Sequence, residues 1–190
     1  MSKSLNPGIN KFFLGRRKLF INGEINNDLS INLIKEIQYL SSKSKDKIQI
    51  IIDSPGGYLN ETISIIDEIE SCKLSKIIIN TIVSGTAFSA AASILAAGTK
   101  GYRWGRPNSI IMLHPCSYEL NDEDSNKQEK TIEFVNKRID YFNRDLAKNC
   151  NINDERKYQK FLKDIANNKF LTAKEAVKYG ILDKVVNNFD

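Results

Sequence analysis

The chain holds one histidine, one tryptophan, four prolines and three cysteines in 190 residues. Each scarcity excludes something. With His114 alone, no multi-histidine metal site can form, and any imidazole base must be that residue. Cys72, Cys116 and Cys150 lie far apart and are odd in number. Without a CxxC pair, neither a zinc site nor a disulfide framework is expected. Cys116 reads as a small, semi-buried residue at a strand end rather than as a nucleophile. No apolar run approaches the length of a bilayer span, and Met1-Ser2-Lys3-Ser4-Leu5-Asn6-Pro7 has no signal-peptide core. The net charge is +5, but the lysines are scattered among asparagines. A stripe of cations with interleaved aromatics would suggest nucleic acid, and none is present. There is no GxSxG elbow of the α/β-hydrolase kind. No metal and no cofactor are expected.

Apolar residues make up 41% and charged residues 27% of the chain, ordinary values for one domain with a real core. The segment 1–11, with its breaker Asn6-Pro7-Gly8, is expected to be flexible ahead of a single domain over 12–190. Leu19-Phe20-Ile21 forms a short strand. Leu29, Leu33, Ile34, Ile37 and Leu40 follow helical spacing, with Asn27 or Asp28 as the N-cap. A polar loop over 41–47 precedes a buried strand over 48–52. Ile63, Ile66 and Ile69 mark a second helix. A β-branched strand over 77–83 leads to a small-residue helix over about 89–97, and another strand over 109–113 ends at His114. Such alternation predicts an α/β fold with a mainly parallel sheet covered by helices. A polar loop over 121–130 runs into a charged helix carrying Ile132, Val135, Ile139, Phe142 and Leu146, which reads as a projecting element with one sticky face. A shorter helix covers 156–166. Thr172 and Glu175 form a capping box, Gly180 stops that helix, and a closing strand follows over 181–186.

Three stretches converge on one chemistry. Ser54-Pro55-Gly56-Gly57 follows one strand, Ser89 sits at a strand-to-helix turn, and His114 ends a third strand. In open α/β sheets, sites form where loops leave the carboxyl ends of strands. A serine at a helix start has backbone N–H groups nearby to hold an oxyanion. A glycine pair permits the close approach that an oxyanion donor or a bound peptide strand needs. Ser89 taken alone among Gly85, Ala87, Ala90, Ala91 and Ala92 would be one more small packing residue. Together with the histidine it reads as a serine acyl-transfer site.

The same stretches resemble the proteolytic subunit of the Clp protease, ClpP, over nearly the whole chain. The matching motifs are IIIDSPGG at 50–57, GTAFSAAASILAAG at 85–98, PNSIIMLH at 107–114 and FLTAKEAVKYGILD at 170–183. The resemblance implies a crotonase-like fold of stacked ββα units, with a projecting handle over about 117–150. It implies Ser89 as nucleophile, His114 as general base, and Gly57 and Ala90 as oxyanion-hole amides. It further implies seven-membered rings, either of this chain alone or mixed with an active ClpP, docking to a hexameric Clp/Hsp100 ATPase and receiving unfolded polypeptide. Neither nucleic acid nor membrane is an expected partner.

The departures from the family pattern are concentrated at the site. The triad-acid position holds Asn168, and Asp164 lies about one helical turn upstream. An amide does not stabilise an imidazolium by charge and tends to hold the wrong tautomer. In chymotrypsin-type proteases the equivalent change lowers kcat by about 10⁴, roughly 5.5 kcal/mol of barrier. Ala90-Ala91 replace Met-Gly, Phe88 is bulky, Pro115-Cys116 follow the histidine, and Ser117-Tyr118-Glu119-Leu120 replace a glycine-rich strand. This pattern resembles the inactive ClpR-type subunits of plastids and cyanobacteria, a pseudo-protease. A composition rich in Lys, Asn and Ile suits a relict plastid, the apicoplast; the alternative is an ordinary soluble intracellular protein. The rival functions are an active serine endopeptidase and, less favoured, a crotonase-type acyl-CoA enzyme.

Overall fold

Runs of isoleucine and valine set the architecture, because β-branched side chains buried on both faces suit parallel strands. The computed structural model describes residues 7–116 and 125–188, with side chains over 8–116 and 131–188. Strands β1 (Lys18–Asn22), β2 (Ile48–Ser54), β3 (Ile79–Phe88), β4 (Arg103–Gly105) and β7 (Lys184–Val185) form a parallel sheet in the order β1-β2-β3-β4-β7. The far end of β3 pairs instead with β5 (Ile110–Leu113), parallel, and β5 pairs antiparallel with β6 (Lys169–Thr172). β3 therefore forks the sheet, and its last residues belong to a second, shorter layer. This is the mixed α/β fold that the resemblance implies.

Helices α2 (Asn27–Lys43), α3 (Leu59–Leu74) and α4 (Ala90–Ala97) connect the first strands and bury Leu33, Ile37, Ile65, Ile69 and all of α4. Ile21, Ile50, Ile52 and Ile79 meet them from the sheet with no exposed surface. Each such isoleucine contributes about 1.5–3 kcal/mol relative to an exposed one. The alanines of α4 let the helix approach the sheet closely, and that brings its N-terminus to the end of β3.

Several boundaries differ from the sequence expectation. Helix α1 (Pro7–Gly15) corrects the flexible segment expected over 1–11, since residues 7–11 are helical. Proline suits a first helical position, so the expected breaker acts as a start signal. Residues 1–6 lie outside the described residues. The N-cap of α2 is Asn26, whose side chain accepts the Leu29 N–H at 3.0 Å, rather than Asn27 or Asp28. That helix runs on into the expected polar loop. Ser41 and Ser42 are accommodated there because their hydroxyls donate to the Gln38 and Tyr39 carbonyls. In α3 the buried positions are Thr62, Ile65, Ile69 and Cys72, so Ile63 and Ile66 fall at the edge of the buried stripe. β3 continues five residues past Val83.

The C-terminal third is tied to the sheet by a buried ion pair. Arg103, 2% exposed, donates from Nε and one terminal nitrogen to Asp183 at 3.0 and 2.6 Å, and from the other to the Asn149 carbonyl at 2.7 Å. Burial pushes the Asp183 carboxyl up, but hydrogen bonds from Arg103 and the Gly101 N–H outweigh it and hold it below its ordinary range. Asn149 ends helix α5 (Ser125–Asn149), the described part of the expected handle; residues 117–124 lie outside the described residues. Helix α6 (Glu155–Ile165) packs on α5 through Tyr158, whose hydroxyl donates to Asp140 at 2.6 Å. Helix α7 (Ala173–Tyr179) carries the expected capping box of Thr172 and Glu175, and Gly180 closes it in the left-handed conformation. Among the described residues no helix is long and apolar enough to cross a membrane.

Candidate active site

Ser89 occupies the single residue between β3 and α4. Its backbone, at φ +54° and ψ −122°, lies outside every region that L-residues commonly adopt. Such strain costs on the order of 1–3 kcal/mol and persists only where the surroundings over-determine it. Here the Ser89 N–H donates to the Met112 carbonyl at 2.8 Å, and the Ser89 carbonyl accepts the Ala92 N–H at 3.0 Å. One bond fastens the serine to β5 and the other to the first turn of α4.

The glycine pair fits against this turn. Gly56 has φ +101°, and a Cβ there would lie 2.8 Å from both the Phe88 carbonyl oxygen and the Ser89 Cβ. A Cβ at Gly57 would overlap the backbone of Ile25, with which Gly57 forms a parallel bridge. The bridge uses the Gly56 carbonyl and the Tyr58 N–H, bonded to Ile25 at 2.8 and 2.9 Å. The N–H groups of Gly57 and Ala90 have no acceptor among the described residues. Two unpaired amides on either side of a strained serine are donors able to hold an oxyanion.

His114 follows β5 and is half-buried. Its Nδ1 lies 2.7 Å from the Pro115 carbonyl oxygen. A carbonyl can only accept, so this hydrogen bond needs the proton on Nδ1, which in the neutral ring leaves Nε2 its lone pair. That is the tautomer a general base requires. It answers the expectation that the missing acid would leave the wrong tautomer: the next residue's own backbone sets it. No hydrogen bond joins the Ser89 hydroxyl to the imidazole among the described residues.

Asn168 stands where the antiparallel ladder leads. The β5–β6 ladder ends at the Leu113–Lys169 pair, with His114 and Asn168 each one residue beyond it. The Asn168 side chain is exposed and makes no hydrogen bond to the ring among the described residues, and its backbone has φ +52°. Asp164, the alternative acid, lies 3.5 Å from the Tyr179 hydroxyl. No carboxylate among the described residues partners His114.

Gly57, Ser89, Ala90 and His114 line one cleft of about 670 Å³. Leu113, Phe142 and Leu146 form an apolar wall, and Glu24, Tyr58, Glu61 and Asn143 complete it. These last residues were missed by sequence reasoning, because they reach the cleft through the Ile25–Gly57 bridge, the start of α3 and the base of α5. Cys116 also lines it, and burial pushes its thiol up, which disfavours the thiolate. Two of the departures from the family pattern lie away from the cleft. Phe88 does not line the cleft; its ring stands edge-on to Phe170 at 6.0 Å on the β3-β5-β6 layer. Ala91 is fully buried in the core. Residues 117–120 lie outside the described residues.

The forked sheet thus brings to one cleft at its strand ends a strained serine, a histidine and two unpaired amides, the kinds of group that serine acyl transfer uses. The chain belongs to the Clp protease family, whose model matches residues 5–189. It is 34% identical over 173 residues to the ATP-dependent Clp protease proteolytic subunit 3 of Synechococcus sp. (strain CC9605), covering 90% of this chain and 83% of that protein. The proteins of the same description from Synechococcus sp. (strain CC9902) and Parasynechococcus marenigrum (strain WH8102) are similar to the same degree, each 34% identical over 90% of this chain and 83% of theirs.

Proposed function

We propose that this chain is a ring-forming subunit of an ATP-dependent Clp protease with little or no peptidase activity of its own, like the ClpR-type subunits. The observation that carries this reading is the orientation of His114. Its Nδ1 lies against a neutral carbonyl, and among the described residues no carboxylate is hydrogen-bonded to the ring. A carbonyl fixes the tautomer but supplies no full charge to stabilise the imidazolium that forms as the serine attacks. In this reading Ser89, His114, Gly57 and Ala90 stand at the nucleophile, base and oxyanion positions, and Asn168 at the degenerate acid position. The chain would share its ring with copies of itself or with an active ClpP, and a Clp/Hsp100 ATPase would deliver unfolded polypeptide to it. The similarity to cyanobacterial subunits and the Lys-, Asn- and Ile-rich composition favour a plastid-type organelle such as the apicoplast.

The test is hydrolysis of fluorogenic peptides by the purified chain, beside fluorophosphonate labelling. The expected result is turnover far below that of an active homologue and little labelling at Ser89. Turnover at a normal level, abolished by Ser89→Ala, would establish the rival reading of an active endopeptidase. One observation favours that rival: Nδ1 has an acceptor in the Pro115 carbonyl, which in the neutral ring leaves Nε2 free to act as base toward the strained serine.

A further inference from the structure

The cleft is charged against the sign of the molecule. The chain has 28 lysines and arginines against 23 aspartates and glutamates, yet among the described residues no lysine or arginine lines the cleft, while Glu24 and Glu61 do. Both carboxylates border the Gly57 amide. Glu24 precedes Ile25, the bridge partner of Gly57, and Glu61 sits in the first turn of the helix that follows Gly57. Neither carboxylate has a hydrogen-bond or ion-pair partner among the described residues. The same cleft is lined by Phe142 and Leu146, one helical turn apart on α5, and by Leu113, which together form its apolar part.

An occupant must satisfy both walls at once. An extended chain places successive side chains on opposite sides, so one residue faces the carboxylates while its neighbour faces the apolar wall. We propose that the cleft selects extended polypeptide bearing a lysine or arginine next to a large apolar residue, with Glu24 and Glu61 as the discriminating groups. This rests on the reading of the cleft as a polypeptide site, but not on any catalytic competence of Ser89. The proposal runs opposite to bulk electrostatics. A net charge of +5 attracts acidic peptides to the surface at large, whereas the cleft rejects them.

The test is fluorescence anisotropy with the full-length Ser89→Ala chain, which removes turnover as a complication. Three labelled peptides share one leucine–phenylalanine core, flanked by lysine, glutamine or glutamate. Exposed charge pairs of this kind change affinity by a few-fold each. The lysine peptide should therefore bind about three- to tenfold more tightly than the glutamine peptide, and the glutamate peptide more weakly than either. High salt should compress the series. In Glu24→Gln/Glu61→Gln the preference should vanish, the three peptides binding within about twofold of one another. Equal binding of all three peptides to the Ser89→Ala chain would overturn the selectivity and leave the cleft as a polypeptide site. A lysine preference that survives the double substitution would overturn the roles of Glu24 and Glu61. Failure of every peptide to bind a chain with an intact far-ultraviolet circular dichroism spectrum would overturn both the selectivity and the cleft reading.

Discussion

The Ser89 turn and the His114 ring are fixed by backbone groups rather than by side chains. Met112 and Ala92 hold the serine, and the Pro115 carbonyl holds the imidazole. This decides what one substitution at Asn168 can achieve. An aspartate there would sit just beyond the last pair of the β5–β6 ladder, but Nδ1 already lies against the Pro115 carbonyl, and Asn168 is exposed. We expect Asn168→Asp to raise kcat/KM on a fluorogenic peptide by no more than about tenfold over a Ser89→Ala background, well short of the roughly 10⁴ that a properly placed acid is worth in a triad. A rescue of several powers of ten would mean that the ring swings readily to a new partner. The glycine pair and the single histidine were legible because each follows a strand, and Ser89, one of 16 serines, was legible only beside them. The hydrogen bond to Pro115 was not legible, since every residue has a carbonyl and only geometry chooses one. That bulky Phe88 stays off the cleft was not legible either, because adjacency in sequence says nothing about which face of a strand a side chain takes.

Among the elements, long periodic stretches were the most legible and short strands the least. Helices α2 and α3 and strand β2 announce themselves by many apolar positions. Strands β4 and β6, three and four residues long with Arg103, Lys169 and Thr172 among them, carry no pattern that distinguishes them from loop. Their stability comes from partners distant in sequence. Arg103 is the clearest case: one guanidinium joins β4 to the turn before β7 and to the end of α5. Removing one partner of a buried pair strands the other charge, at a cost of about 3–5 kcal/mol. Asp183→Asn should lose that much in urea unfolding at neutral pH. The pH dependence follows from the depressed carboxyl of folded Asp183. A group depressed on folding stabilises fully above its unfolded value, about 3.9, and the stabilisation is lost as pH falls through the folded value. The gap between the wild-type chain and Asp183→Asn should thus be constant from neutral pH to about pH 5 and narrow only below about pH 4. A gap that closes nearer neutrality would assign the pair's contribution to another group.

At the scale of the whole molecule, the apolar surface left uncovered is the feature that a lone chain does not explain. On α5 the stripe of Ile132, Val135, Ile139, Phe142 and Leu146 fades from buried to bare. Leu146 is in the core, Phe142, Ile139 and Val135 are half-buried, and Ile132 is 41% exposed. Phe134 and Tyr141 add exposed aromatic surface beside it, and Phe170 is bare on the β3-β5-β6 layer. Contiguous exposed apolar surface marks an association site. The base of α5 is satisfied by α4 within the chain, while its outer turns keep the same periodicity with nothing described against them. On the proposed ring-forming role we expect light scattering at micromolar concentration to give a heptamer, seven times the chain mass of 21.6 kDa. Ile132→Glu with Val135→Glu should lower that mass without loss of helical circular dichroism, because both positions lie outside the core of the single chain. A monodisperse monomer for the wild-type chain would refute ring formation by this chain alone. In that event, mass gained on adding an active ClpP, and lost again in the Ile132→Glu/Val135→Glu variant, would place the stripe at a mixed-ring contact. An unchanged mass in the variant would move the interface to the Phe170 layer. There, Phe170→Ser should then dissociate the assembly, since its ring touches only Phe88 among the described aromatics and supports little of the core.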